Sequence, residues 1–224
     1  TFRIDPLLCE GCGACVTACP VDALRLVERA SGAWTVGRTA RRPMIGGELI
    51  PGEEVSGKLV SVIREKADEI AEREGLGWMA IDGSPGIGCP VIASTTGTQA
   101  AVLVTEPSRS GLHDLERILG VVRHFGVPAY LLLNKADLST ELAEEVKRFA
   151  KREGVPILGT IPYDERVLDA LRRGRSPADD PESIAGRAMN EAVDRLMAEL
   201  AGSTGNESDA TPAPGDEDGD LRST

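Results

Sequence analysis

The chain has 224 residues and a formal net charge of −11. That length suits one large domain or two small ones, and the acidity argues against a nucleic-acid or anionic-membrane surface. Hydrophobic residues make up 41% and aromatics only 3%, so a core can form but aliphatic side chains must fill it. No apolar run is long enough to span a bilayer, and a cytoplasmic location is the expectation.

Cysteine dominates the first 45 residues, since four of the five cysteines lie between positions 9 and 19. Such clustering in an otherwise cysteine-poor chain points to metal rather than to disulfides. The stretch CEGCGACVTACP reads C-x2-C-x2-C-x3-C-P through Cys9, Cys12, Cys15, Cys19 and Pro20. This is the bacterial ferredoxin run for a [4Fe–4S] cluster. Three thiolates must converge on three iron corners of one cube, so two-residue spacers wrap the backbone tightly. Gly11 and Gly13 permit the unusual backbone angles that this needs. Zinc more often takes two separated C-x2-C pairs. In two-cluster ferredoxins the fourth cysteine of such a run ligates the other cluster. With one run present, the cluster served by Cys19 and the fourth ligand for Cys9, Cys12 and Cys15 stay open. Cys89, followed by Pro90, is a weaker candidate for that fourth ligand. TFRID, ALRLVE and AWTVG read as short strands around the run, which makes residues 1–45 a ferredoxin-type 4Fe–4S unit.

Residues 46–200 follow a different pattern. The stretch PGEEVSGKL spaces Gly52, Gly57 and Lys58 as a phosphate-binding loop would, but Leu59 stands where Ser or Thr must hold Mg²⁺. Glu53 and Glu54 would place negative charge in an anion cradle, and the preceding GGELIP is too short and too broken to be a buried core strand. Ser56 reads better as the cap of a helix over 57–74 that buries Leu59, Ile63, Ala67, Ile70 and Ala71 and stops at Gly75. LGWMAID is an apolar segment predicted to be a strand, as are AAVLVTE, PAYLLLNK and PILGTIPY. Between them, one predicted helix after Ser110 buries Leu112, Leu115, Ile118, Leu119 and Val122. Another, marked by Leu142, Val146 and Phe149, closes at Gly154. Helices near 164–173 and 184–200 complete the domain, and the acidic, Gly- and Pro-containing segment 201–224 reads as a disordered tail.

Apolar strands alternating with amphipathic helices specify an α/β fold with a parallel sheet covered on both faces. Ligands then bind beyond the carboxyl ends of the strands, where the polar residues are Asp82, Glu106, Asn134 and Asp164. WMAIDGSPGIG sets Asp82 after apolar residues with Gly86 four positions on, the layout of an acid that holds Mg²⁺ followed by a glycine whose amide meets a γ-phosphate. An ordinary strand-end acid entering a Gly-Pro turn is the plainer explanation. NKAD, Asn134 to Asp137 with Lys135 between, matches the N-K-x-D pattern that reads guanine in GTPases. The D-x-x-x-G spacing of Asp82 and Gly86 differs from the usual GTPase form. His113 and His124 read as surface histidines, and Ser94, Thr95 and Thr96 as a loop or helix cap.

Taken together, CEGCGACVTACP, GELIPGEEVSGKLV, IDGSPGIGCPVIAS, VTEPSRSGLHDLER, LLLNKADL and IPYDERV resemble the MinD/ParA-like P-loop ATPases that carry an inserted ferredoxin domain. Ser84 stands where that family usually has proline. The resemblance implies ATP with Mg²⁺ as ligand, slow ATP hydrolysis and ATP-dependent homodimerisation, coupled to a 4Fe–4S cluster and to an iron–sulfur or redox client protein. It makes Asp82 the acid on the Mg²⁺ side, Gly86 the γ-phosphate sensor and Asn134 the adenine contact. Backbone near Pro162 would line the base pocket, and Cys9, Cys12, Cys15 and Cys19 would hold the cluster. The family's K-G-G-x-G-K-T loop is not among the 224 residues, so an N-terminally truncated sequence is expected, one that alone is marginally stable and hydrolyses no ATP. A ferredoxin-type electron carrier without enzymatic activity and a GTPase are the alternatives.

Overall fold

The fold is described from a computed structural model, which covers residues 3–5, 9, 11–27, 30–39, 42–50 and 56–204, apart from the side chains of Ser56 and of residues 203–204. Glu53 and Glu54 and most of the expected tail lie outside these residues. Two compact units divide the chain. One comprises Thr1–Ala101 and His113–Ala129, the other Val102–Leu112 and Tyr130–Thr224.

In the first unit a single helical turn, α1 (Ala14–Thr17), follows Cys9 and Cys12 and carries Cys15. A hairpin of β1 (Gly32–Arg38) and β2 (Pro43–Leu49) pairs antiparallel, with Trp34 opposite Gly47 and Val36 opposite Ile45. The hairpin packs against α2 (Ser56–Glu74). Gly47 sits at their contact, where a Cβ would come within 2.6 Å of the Ile63 Cδ1 atom and 3.2 Å of Leu59. Side chain is therefore excluded by close packing, a usual reason for glycine inside a strand. The α2 helix ends as its sequence dictates. Gly75 takes a left-handed φ of 64°, and the Leu76 and Gly75 amides donate to the Ala71 and Glu72 carbonyls, the paired bonds of a glycine-terminated helix. A shorter helix, α3 (Cys89–Thr95), packs on α2, and Arg64 of α2 donates to the carbonyls of Ala93 and Thr96 at its end.

The second unit holds a three-stranded sheet in the order β3 (Ala101–Thr105), β4 (Ala129–Asn134), β5 (Ile157–Ile161). The β4 and β5 strands run parallel, with Asn134 opposite Ile161. Burial follows position in the sheet. Central β4 hides Tyr130, Leu131 and Leu133, whereas edge strand β3 alternates, with Leu103 and Thr105 buried and Val102 and Val104 exposed. Helix α4 (Arg109–His124), whose residues from His113 on belong to the first unit, buries Leu115, Leu119 and Val122; in the second unit α5 (Thr140–Arg152) buries Ala143, Val146, Phe149 and Ala150. Helix α6 (Glu165–Arg172) buries none, and α7 (Ile184–Thr204) packs along β5.

Three expectations need correction. Residues 76–82 do not form a strand: among the described residues nothing pairs with them, and Trp78 is 62% exposed. An apolar run becomes a strand only when a neighbour exchanges backbone hydrogen bonds with it, so Asp82 does not end a sheet strand here. The described parts of TFRID and ALRLVE, residues 3–5 and 23–27, carry no strand either. Finally, helix α7 runs on to Thr204, four residues into the expected tail. The start of α2 at Ser56 leaves that residue's capping role outside what is described.

Candidate functional site

The cysteine run is shaped by its glycines. Gly11 and Gly13 hold left-handed φ values of 67° and 75°, and Gly13 caps the turn that carries Cys15. Cys9, Cys12 and Cys15 are exposed and Cys19 is half-buried, all as free thiols. Cys19 differs in a way its letters did not announce. The amides of Val21 and Ala23 point at its sulfur, with those of Leu24 and Asp22 behind them, and hold its pKa below the ordinary thiol value of 9.0. The Ala23 amide lies 3.2 Å from Sγ. Asp22, in a left-handed conformation at φ 49°, turns the chain so that successive amides face inward, a concavity that favours an anion. Among the described residues no three His, Cys, Asp or Glu side chains meet at metal-ligating distance. The donor set nonetheless fits a 4Fe–4S cluster: four thiols at ferredoxin spacing, glycines in the required conformation, and one thiolate already favoured by backbone amides. Cys89 stands apart at the start of α3, its Cβ against Gly57.

The strand ends of the second unit make a tighter construction. Asn134 closes β4, and its side-chain Oδ1 accepts the Lys135 amide at 3.0 Å. Lys135 is left-handed at φ 50°, and its Nζ pairs with Glu106 Oε1 at 2.6 Å, just beyond β3. Ala136 donates its amide to the Ile161 carbonyl at 2.9 Å. Asp137 Oδ1 accepts the Tyr163 amide at 2.7 Å. The NKAD loop thus ties together the ends of all three strands, and Pro162 lies between two residues bonded to it. Asp164 caps α6 through the Arg166 amide at 2.9 Å. Its other oxygen accepts from the buried Ser183 hydroxyl at 2.7 Å and the Ala185 amide at 3.2 Å, at the start of α7. The Ser183 hydrogen bond leads the causes that hold the Asp164 pKa below its ordinary 3.8.

Asp82 and Gly86 lie in the first unit, in the exposed segment before α3, with Gly86 left-handed at φ 91° and open space around it. Ser94 and Thr96 donate their hydroxyls to the Val91 and Ile92 carbonyls, as helix and helix-end residues do. His113 and His124 are exposed.

Residues 2–25 match the 4Fe-4S binding domain model. An uncharacterised protein of Methanocaldococcus jannaschii is 36% identical over 138 residues, covering 62% of this chain and 48% of that protein. The iron-sulfur cluster carrier protein of Pyrococcus abyssi is 29% identical over 59% of this chain and 49% of its own length. The crystal structure of the Pyrococcus furiosus cell division ATPase MinD superposes with a TM-score of 0.52 at 21% identity, over 64% of this chain and 59% of that one. The chain is MinD-like and carries a 4Fe–4S binding domain. This MinD-like chain spans about half the length of the curated relatives it matches. Among the described residues, no helix of it is long and apolar enough to cross a membrane.

Proposed function

We propose that the chain is the cluster-bearing and base-reading part of a cytoplasmic, MinD-type ATPase that couples ATP to the assembly or transfer of an iron–sulfur cluster, or to electron transfer. The observation that carries this reading is the presence of two sites on one chain. A ferredoxin-spaced cysteine run lies within a matched 4Fe-4S domain, and a braced strand-end asparagine sits on a MinD-like sheet.

Cys9, Cys12, Cys15 and Cys19 hold the cluster, which when bound supplies a one-electron redox centre. The amides around Cys19 favour its thiolate. Asn134 and the backbone at Pro162 meet the adenine. Asp82 orients Mg²⁺ and Gly86 approaches the γ-phosphate, its lack of a side chain leaving room. The G-x-x-x-x-G-K-[ST] run is absent from the 224 residues, so residues of another segment or chain grip the phosphates. Homodimerisation and an iron–sulfur or redox client complete the reading. The D-x-x-x-G spacing of Asp82 and Gly86 disfavours the GTPase alternative.

The test supplies the missing grip by extending the chain with its upstream genomic sequence. The extended protein, reconstituted anaerobically with iron and sulfide, is mixed with an apo-ferredoxin acceptor, with and without ATP and Mg²⁺. Cluster transfer or reduction of the acceptor that depends on ATP is expected. Behaviour indifferent to ATP, with no nucleotide bound, would leave a simple electron carrier.

A further inference from the structure

We propose that the acidic segment 205–224 of this chain docks on the outer face of α6, over Leu168 and Leu171 and against Arg173 and Arg175.

Helix α6 is the odd member of its unit, since none of its residues is buried. Two leucines three apart share one side of a helix, and both lie open: Leu168 is 52% exposed and Leu171 59%. Gly174, left-handed at φ 64°, ends the helix. It folds Arg175 back, so that the Arg175 amide donates to the Ala170 carbonyl at 2.9 Å. Three exposed arginines therefore follow the leucines at the end of α6. Arg172 reaches Asp169 at 3.7 Å, while among the described residues the side chains of Arg173 and Arg175 have no partner. Other arginines of the unit are engaged: Arg166 pairs with Asp180 and Glu182, and Arg187 and Arg195 donate to backbone carbonyls. Cations at a helix C-terminus suit its dipole, but that accounts for the charge and not for leucines left in water.

A cover for this face has to be acidic and to carry an apolar side chain. The chain itself holds such a segment. Beyond α7, Glu207, Asp209, Asp216, Glu217, Asp218 and Asp220 stand against Arg222, and Leu221 follows the densest run. Helix α7 starts beside α6, because the Asp164 that caps α6 also accepts the Ser183 hydroxyl at 2.7 Å and the Ala185 amide at 3.2 Å. The 21 residues of α7 run about 31 Å and the eight of α6 about 12 Å. From Thr204, an extended chain reaches as far as about 40 Å at Asp216 and about 56 Å at Leu221. That is enough to return along α7 to the end of α6. Each exposed ion pair adds little by itself. Tethering offsets the weakness, since a segment on the same chain is present at an effective concentration on the order of millimolar.

The test follows backbone amides of the 224-residue chain by NMR from about 0.1 M to about 1 M NaCl, where the Debye length falls from about 10 Å to about 3 Å. Circular dichroism checks folding. Amides of Leu168 to Arg175 and of residues 216–221 are expected to shift together as salt rises. A chain with Asp216→Asn, Glu217→Gln, Asp218→Asn and Asp220→Asn should hold the α6 amides at their high-salt positions throughout. Arg173→Glu with Arg175→Glu should release the 216–221 amides in the same way, and adding Asp216→Lys and Asp218→Lys should restore the docked shifts. Identical α6 amides in the unaltered and neutralised chains at low salt would overturn the proposal, and a shift then produced only by added polyglutamate would give the face to an outside acidic partner. Shifts spread evenly over Arg187, Arg195 and the other arginines would overturn it as unspecific attraction. Shifts that grow with protein concentration would overturn it by placing the segment on a second copy.

Discussion

The cysteine run at 9–19 and the strand-end loop at 134–138 are built in opposite ways. In the loop, protein groups complete the geometry: Asn134, Lys135, Ala136 and Asp137 each bond to a neighbour or to another strand end. In the run, glycines bend the backbone and amides favour one thiolate, yet among the described residues no three ligating side chains converge. A planar base makes few contacts and benefits from a frame that exists beforehand. A cluster forms strong bonds to every thiolate, so its binding energy can draw the ligands together. The two regions teach that a candidate site need not look organised when its ligand does the organising.

The comparison breaks most sharply in the run. Cys12→Ser should abolish cluster reconstitution, read as loss of visible absorption and of the reduced-state paramagnetic signal, while adenosine binding stays as it was. Adenosine binding lost together with the cluster would contradict separate construction. In the second unit, preorganisation depends on helices docked by close backbone contact. An alanine Cβ at Gly186 would lie 2.1 Å from the Pro177 carbonyl oxygen, so Gly186→Ala should cost about 1–3 kcal/mol by denaturant titration. Ser183→Ala removes the donor to Asp164 and the acceptor for the Gly186 amide. About 1–3 kcal/mol is expected there too, toward the lower end since no atom clashes. The smallest effect is one of pH. A folded-state pKa below the unfolded value adds stability that is present above the unfolded value and lost as pH falls through the folded one. Asp164, lowered from 3.8, should therefore steepen acid unfolding below about pH 4, and Asp164→Asn should flatten that limb in pH-dependent melting.

Much of the sheet and of the longer helices was legible because their signals are local. Apolar runs gave β3, β4 and β5, and the glycines at 75 and 154 marked where α2 and α5 end. Residues 76–82 misled because hydrophobicity says nothing about whether a ladder partner is at hand. The β2 strand was hidden by Gly46 and Gly47, which look like breakers until the packing of Ile63 and Leu59 explains Gly47. Helix α3 was missed behind its serine and threonines, although Pro90 near its first position was the available cue. For the site, NKAD and the cysteine spacing could be read directly. The direction of Asp137 could not, since its partner lies 26 residues away. The amide concavity around Cys19 depends on a left-handed aspartate at 22, a conformation that sequence seldom announces.

The central claim is that this MinD-like chain carries an iron–sulfur cluster on its cysteine run. Iron and acid-labile sulfide are to be assayed after anaerobic reconstitution, alongside electron paramagnetic resonance of the reduced protein. About four iron and four sulfide per chain are expected, with a cubane-type signal absent from Cys12→Ser. Tetrahedral zinc held by the same four thiols, with no sulfide incorporated, would contradict it.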